Sequence, residues 1–536
     1  MSWSPTRFFL LDENVNGRLD WKVLCSNGRR YRYLVTVHPG PENDQFRLIL
    51  ISRSNARILV ERSSFPESGS EVSLPLLSIP KWTRWAPHIQ QAIRQRWNLQ
   101  SVVLDALGGL ARKEYIAIAE AIVGEATGSV LEQCVWIPLE ELPDLEIEIE
   151  DSERSLHIVV RDLLDGRRNP HRPFLQLGWT DELLRWIATV IPKDRIDVFN
   201  GVEQFNASSS HALLKIRCRH GPALWFKAVA EPVLETPGHE YVATTILSNL
   251  FPEYLPGLLA IRQDWNGWLM NDAGLPIEES DPLDTGTAKL IGRRLAEMQQ
   301  ASVPHVNALL GHRFIDQRIP ALREEMVAMM PYLEDAVLSQ RSATIPAIGT
   351  GRLKEIAGIF EDVCFELEET GMPDTVVHNV LNSGNILIGN GACVFTDWAQ
   401  AGVGNPLVAL DQLQQYLAQN QRLASWLPLI VRSYREQWRS RIADVQFDQA
   451  LRSIRLLSIV THLASRRHWF MSQYRHQPGL ESYIRSLLRQ MDKAAQSIRH
   501  KEFSEPEWGN LSACHEFPAR PSLNSSRIST RRTALR

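Results

Sequence analysis

Apolar positions along the 536-residue chain fall into two regimes. Before about residue 140, short apolar or alternating runs predict strands over 46–51, 56–61, 102–107, 114–122 and 134–137. A three- and four-residue apolar spacing predicts one helix among them, over 86–97. A second helix is expected over 179–191, and alternation then returns. Leu214, Ile216 and Cys218 share one strand face, and residues 224–229 form a short apolar strand that contains a single lysine, Lys227. From residue 287 onward the spacing is helical, with charged faces between the apolar steps over 287–300, 353–369, 406–419, 424–439 and 447–470. Two apolar strands, 375–377 and 385–388, interrupt that helical stretch. The fold class expected is α+β, with a strand-rich first part, a small strand–helix unit and a helical end.

Composition narrows the function classes. The chain is long enough for two or three compact units. Its 58 Lys and Arg against 62 Asp and Glu leave a net charge of -4, with both signs spread throughout. Such a balance gives no global electrostatic case for nucleic acid or a membrane surface. Cys25, Cys134, Cys218, Cys364, Cys393 and Cys514 form no C-x-x-C pair and no regular framework, which suits a reducing, cytoplasmic setting. Residues 1–7 lack the apolar run of a signal peptide, and no stretch of about 18 apolar residues predicts a membrane span.

The chemistry is concentrated in two segments. The first reads His378-Asn379-Val380-Leu381-Asn382-Ser383-Gly384-Asn385-Ile386-Leu387, and the second Phe395-Thr396-Asp397-Trp398. In the kinase catalytic loop H-R-D-x-x-x-x-N, the Asp takes the proton of the attacking hydroxyl, the Asn holds a metal ion, and an Asp on the next strand holds another. Asn385 and Asp397 stand at the metal positions, while Val380 stands at the position of the base. A ligand-free polar hairpin would explain two strands joined by turn residues, but not the Asp-Trp and Gly-x-Pro that come after them in order.

These residues resemble the aminoglycoside phosphotransferase and choline-kinase-like family, whose loop usually reads H-G-D-x-H-x-x-N-I-L, followed by I-D-W-E-x-A-x-x-G-D-P. The chain keeps His378, Gly384, Asn385, Ile386, Leu387, Asp397, Trp398, Ala401, Gly404 and Pro406, with Asn405 for the usual Asp and Gln299 for a usual His. The resemblance implies a bilobal protein-kinase-like domain, with an N-lobe over 195–275 and a helical C-lobe over 276–500. It implies ATP and Mg2+ as cofactors. Lys227 would hold the α and β phosphates and pair with Glu240. Ser208, Ser209 and Ser210 would form the small-residue phosphate loop, and Met270 and Asn271 the hinge beside adenine, unless that segment is an ordinary strand and turn. Asp411 would cap or brace the loop, or be a solvated helix charge.

The unit expected over 1–165 more loosely resembles Nudix hydrolases, through Trp136-Ile137-Pro138-Leu139 and the helix ending at Trp97. The metal-binding carboxylates of a Nudix box are missing from that helix, so it is expected to be inactive. Residues 166–194 are expected as a linker and lead-in helix. The Ser-, Arg- and Thr-rich end of 501–536 is expected to be a disordered tail.

Two functions are compatible with these residues. One is ATP-Mg binding with phosphate transfer to a small-molecule hydroxyl, reduced or absent because Val380 replaces the base. The other is a nucleotide- or partner-binding pseudokinase scaffold without transferase activity. The acceptor or protein partner is not identified by the sequence. Glu361, Asp362, Glu366, Glu368 and Glu369 form an acidic helix face that could meet an aminoglycoside's amines or simply face solvent.

Overall fold

The computed structural model describes residues 20–24, 30–34, 43–53, 57–62, 72–81, 84–107, 114–123, 134–138, 156–166, 172–191, 202–206, 208–230, 240–280, 284–340, 347–471 and 478–499. The linker expected at 166–194 is described in part, and the tail expected at 501–536 lies outside these residues.

Strands β1 (Asp20–Leu24) and β2 (Arg30–Leu34) pair as an antiparallel hairpin. The five strands expected before residue 140 join two that were not expected in one mixed sheet: β3 (Asn43–Ser52), β4 (Arg57–Arg62), β5 (Val72–Ser73), β6 (Leu76–Pro80), β7 (Gln100–Leu107), β8 (Glu114–Val123) and β9 (Cys134–Pro138), with β5 and β6 the unexpected two. Its main order is β5-β4-β3-β8-β7, with β6 added on β3 and β9 on β4, and β3 with β8 is its parallel pair. Two-residue alternation gives the sheet two apolar faces. Phe46, Leu48, Leu50 and Leu59 meet Ala86, Ile89, Ile93 and Trp97 of helix α1 (Trp85–Trp97). Ile49, Ile51, Ile58 and Val60 point the other way.

That second face is covered by the next stretch of chain. Helices α2 (Leu156–Leu164) and α3 (Trp179–Val190) lead to an antiparallel five-stranded sheet, β10 (Val202–Gln204), β11 (His211–Ile216), β12 (Leu224–Val229), β13 (Leu258–Arg262) and β14 (Gly267–Asn271), ordered β10-β11-β12-β14-β13. Trp179, Leu183 and Ile187 of α3, and Leu214, Ile216, Leu224, Phe226 and Ala228 of the second sheet, share one core with the outer face of the first. Fully burying side chains of this size stabilises by roughly 1.5–3 kcal/mol each. The expected break between 165 and 195 therefore does not separate hydrophobic cores. The period of two then fixes the rest of β12. With Phe226 and Ala228 turned into the shared core, Lys227 is turned to the opposite face, toward helix α4 (Glu240–Leu250).

The helical part contains α5 (Thr285–Ser302), α6 (Val306–Gly311), α7 (Ile319–Leu338), α8 (Thr350–Glu369), α9 (Leu407–Gln419), α10 (Gln421–Ala424), α11 (Leu427–Trp438), α12 (Asp444–Ala464) and α13 (Pro478–Arg499). The arrangement of a small sheet with one helix followed by a helical lobe is the bilobal one expected from the sequence. Helix α7 was not expected there: Pro320 at its start and Pro331 inside it read as breakers. Helix α13 was also missed, although Leu480, Ile484, Leu487, Leu488, Met491 and Ala495 are all buried at helical spacing. Two three-stranded sheets frame the chemistry. One joins β15 (Leu275–Pro276), β18 (Ile386–Gly389) and β19 (Ala392–Phe395); the other joins β16 (Ile315–Gln317), β20 (Gly402–Gly404) and β17 (Thr375–Val377).

Helices α5 and α11 approach at Gly292, where an added Cβ would meet the Ile430 carbonyl oxygen at 2.1 Å. Backbone cannot yield as a flexible side chain can, so Gly292→Ala is expected to cost about 1–3 kcal/mol as overpacking, despite alanine's better helix propensity. A lowered midpoint in chemical denaturation checks this, and a raised one would disprove the close approach.

Candidate functional site

The loop 378–385 leaves β17 and enters β18, and the segment 397–401 leaves β19 and enters β20. His378 is buried between them. Its Nε2 lies 2.8 Å from the Thr396 carbonyl, its Nδ1 accepts the Val380 N–H at 3.3 Å, and its ring lies 4.4 Å from that of Trp398. Burial pushes its pKa below the ordinary value. Both ring nitrogens are engaged, Nε2 across to the other segment and Nδ1 within its own loop, so His378 acts as a brace rather than a free base.

Asn379 is fixed in the same way, donating from Nδ2 to Gln317 Oε1 at 2.9 Å and to the Gln400 carbonyl at 2.6 Å. Asn382 caps the turn: its Oδ1 accepts from the N–H groups of Gly384 at 2.8 Å and Asn385 at 3.1 Å. Asn385 donates from Nδ2 to the Val380 carbonyl at 2.8 Å, which leaves its amide oxygen as the atom it can offer a cation. Ser383 donates to Glu278 Oε2 at 2.8 Å, bringing a carboxylate from beyond β15 to this loop.

The sheet supplies the cation. Lys227 Nζ lies 2.5 Å from Glu240 Oε1 and 3.0 Å from Asp397 Oδ1. Glu240, on the first turn of α4, is only 4% exposed, whereas 41% of the Asp397 side-chain surface is accessible in the cleft. The three groups set one another's protonation. Burial opposes the charge on Lys227, but Asp397 and Glu240 outweigh it and raise its pKa above the ordinary lysine range. The same lysine, above all, holds Asp397 below the usual carboxylate range. Glu240 is pushed up to about 7, by burial first and by Asp397 as well, with Lys227 opposing. Asp397 also has φ 70°, a conformation that costs a non-glycine residue of order 1 kcal/mol or more and collects at functional sites.

Ser208, Ser209 and Ser210 lie in the turn between β10 and β11. Asn206 closes the turn, its Oδ1 accepting the Leu213 N–H at 2.7 Å and its Nδ2 donating to the His211 carbonyl at 3.0 Å. The Ser208 and Ser210 hydroxyls are 3.4 Å apart, and Ser210 Oγ lies 2.8 Å from His211 Nδ1. Sequence reading assigned no role to His211. Its pKa is lowered to about 4, by burial and then by Lys227, so it is a neutral imidazole close to the cleft ions. A histidine directly after a serine run carries no distinguishing sequence signal. Met270 and Asn271 end β14, opposite Trp225 and Leu224 of β12. Met270 packs with Val229, Trp268 and Trp225, and the Asn271 N–H bonds the Gly257 carbonyl at 2.9 Å.

The remaining candidates are structural. Asp411 is buried and pairs with Arg455 at 3.0 Å. Asn405 accepts the Leu407 N–H at 3.0 Å at the start of α9, and Gln299 donates to the Pro406 carbonyl at 2.9 Å while accepting from Tyr434. On α8, Glu361 and Glu368 are both paired with Arg323, at 2.8 and 3.0 Å, and Glu366 accepts from Ser453. That face is partly neutralised from within.

No family model matches the chain, and no curated protein does. Solved structures similar to it include a macrolide 2'-phosphotransferase from Brachybacterium faecium, at 14% identity over 57% of this chain and 97% of that one, with a TM-score of 0.39. Others are an ethanolamine kinase of Plasmodium vivax, at 13% identity over 57% and 84% with a TM-score of 0.39, and a choline kinase of Cryptosporidium parvum, at 14% over 60% and 96% with a TM-score of 0.37. At these identities and scores the likeness describes the neighbours, and the reading of the cleft rests on its own side chains.

Proposed function

We propose that the chain binds ATP with Mg2+ between the five-stranded sheet and the helical lobe, and that transfer of phosphate to a small-molecule hydroxyl is reduced or absent. The observation that carries this is the Lys227 ammonium, placed between Glu240 and Asp397 from two other elements. A cation held by two carboxylates, one enclosed and one open to the cleft, is arranged to receive phosphate oxygens while staying protonated.

The residues present fit magnesium. Mg2+ takes oxygen ligands, keeps several waters and is usually bound by one or two protein groups together with substrate phosphates. The Asn385 amide oxygen and the Asp397 carboxylate are such a pair. Among the described residues no cluster of three or more His, Cys, Asp or Glu offers an all-protein cage instead. When bound, the metal would neutralise charge on the phosphates. Lys227 would do so from the sheet side, oriented by Glu240.

Catalysis is the weaker part of the arrangement. Val380 has no proton acceptor, His378 has both ring nitrogens engaged, and Asn379 is tied to Gln317 and Gln400. A positioned base contributes about 10²–10⁴-fold, whereas phosphoryl transfer leans chiefly on positioning and charge. The same apolar Val380 favours the second reading, a nucleotide- or partner-binding pseudokinase scaffold. A cytoplasmic setting belongs to this proposal, on the irregular cysteine spacing of the sequence; Cys134, Cys364 and Cys393 are in no disulfide, and no described helix is long and apolar enough to cross a membrane.

Mg-ATP at saturating concentration is expected to raise the thermal midpoint by mass action, and Asp397→Ala to abolish most of that rise. No shift in the wild type at saturating nucleotide would remove the nucleotide reading and leave a partner-binding scaffold.

A further inference from the structure

The back of the Ser208–Ser210 turn is built by a different part of the chain. Strand β7 is an edge of the first sheet, and its register against β8 slips between Val103 and Asp105. A bulge of this kind re-aims side chains. Val103 lies opposite Ala119, on the face that meets α1; Asp105 lies opposite Ile118, on the face that meets the second sheet. Without the slip Asp105 would point at α1. With it, the carboxyl is buried at 4% exposure beside Ser209.

Three further contacts converge there. Gln204, the last residue of β10, donates from Nε2 to the Val103 carbonyl at 2.6 Å and accepts the Val103 N–H at 2.9 Å, satisfying a buried sheet edge with a side chain. The Phe174 N–H donates to the Ser209 carbonyl at 3.1 Å, and the Ala230 N–H to the Ser210 carbonyl at 2.9 Å. Ser209 itself is 1% exposed. Burial raises the pKa of Asp105, opposed by the nearby Ser209, by the Ala106 N–H and by Arg172, although the Ser209 hydroxyl makes no hydrogen bond of full geometry. The Ala106 N–H, at 2.9 Å from Asp105 Oδ1, helps hold the carboxyl.

We infer that the first sheet is a clasp for the turn at Ser208–Ser210, and that Asp105 is its positioning residue: by holding Ser209 from behind, it presents the Ser208 and Ser210 side of the turn to the phosphate chain of a nucleoside triphosphate. The clasp stands on these contacts alone; its effect on the phosphates rests on the nucleotide-binding reading above. A buried carboxyl is costly in a hydrophobic interface, and an apolar side chain would serve mere packing better. Its placement at a bulge that turns it toward the second sheet is what positioning requires.

The test uses the full chain with two substitutions, Asp105→Asn from the clasp side and Ser209→Ala from the turn side. Hydrogen exchange is followed over the 205–213 peptide, and affinities are measured for Mg-ATP and for adenosine. Both variants are expected to speed exchange of that peptide while leaving α13 unchanged, and to weaken Mg-ATP by about tenfold, the scale of a lost charge-assisted contact, with adenosine affinity unaltered. Unchanged exchange in both variants, or faster exchange throughout the chain, would overturn the clasp. Faster exchange with equal losses for ATP and adenosine, or with no loss for either, would overturn the positioning of phosphate. If the wild type binds no nucleotide, the proposed function falls, and the exchange of the turn decides the clasp by itself.

Discussion

Lys227→Met is expected to lose stability and nucleotide affinity together, and the stability deficit should grow with pH. Removing one partner of a buried ion pair typically costs about 3–5 kcal/mol, because the other charge is left uncompensated. Glu240, at 4% exposure, is that other charge. It can escape part of the penalty by binding a proton. Its pKa is already raised to about 7 from an ordinary 4.5, chiefly by burial, with Lys227 the main opposing influence. Without the lysine it must rise further. A carboxyl with a raised folded-state pKa favours folding in its protonated form. That contribution is fully present below the unfolded value near 4.5 and is lost as pH climbs through the folded value. The deficit relative to wild type should thus be small at pH 5 and approach the full cost above pH 7. Mg-ATP binding should weaken by about 2–5 kcal/mol, the cost of truncating a buried charged contact. Denaturant titrations at pH 5 and pH 8, with calorimetry of Mg-ATP binding, check both parts. An equal deficit at the two pH values would mean that Glu240 is not the group that suffers.

Legibility in the sequence tracked the range of the interaction. The loop 378–387 and the Asp397 segment are each contiguous in sequence, and His378, Asn382, Asn385 and Asp397 meet where they come together, while Leu381, Ile386 and Phe395 belong to the core. Lys227 could be placed on a strand by alternation, and its partner Glu240 lies thirteen residues on, within reach of local reasoning. Helix α7 was hidden by two prolines that the helix tolerates, one of them in its first turn. Contacts between distant segments left no trace. Asp105 and Ser209 are separated by the whole of β8, β9, α2 and α3, and the bulge that turns Asp105 toward the second sheet is a property of register, which alternation alone cannot reveal. The apolar strands of the first sheet likewise predicted a separate unit, because a strand with two apolar faces does not say what covers each. Here α1 covers one, and α3 with the second sheet covers the other. The acidic residues of α8 read as a candidate amine cradle because their neutralising partner, Arg323, comes from another helix.

The same distinction between local and distant contacts makes Val380 the most informative single position. The backbone around it is fully specified: its N–H is held by His378, and its carbonyl by Asn385. Those bonds involve only main-chain atoms of residue 380, so Val380→Asp would change the side chain without releasing the loop. The side chain is half-buried, leaving room for a carboxylate to stay solvated. A carboxylate there would add the missing proton acceptor next to Asn385 and within the loop that Asp397 adjoins. Hydrolysis of ATP by water reads out that gain without knowledge of the acceptor. The variant is expected to raise this background rate by at least about tenfold, toward the low end of a general base's usual contribution. Affinity for Mg-ATP must be measured beside it, because a new negative charge near the phosphates could offset the gain by weakening binding. Equal affinity with a raised rate would show that the cleft lacks only its base. Equal affinity with an unchanged rate would mean that positioning has been lost as well, and the transferase reading should then give way to the nucleotide-binding scaffold.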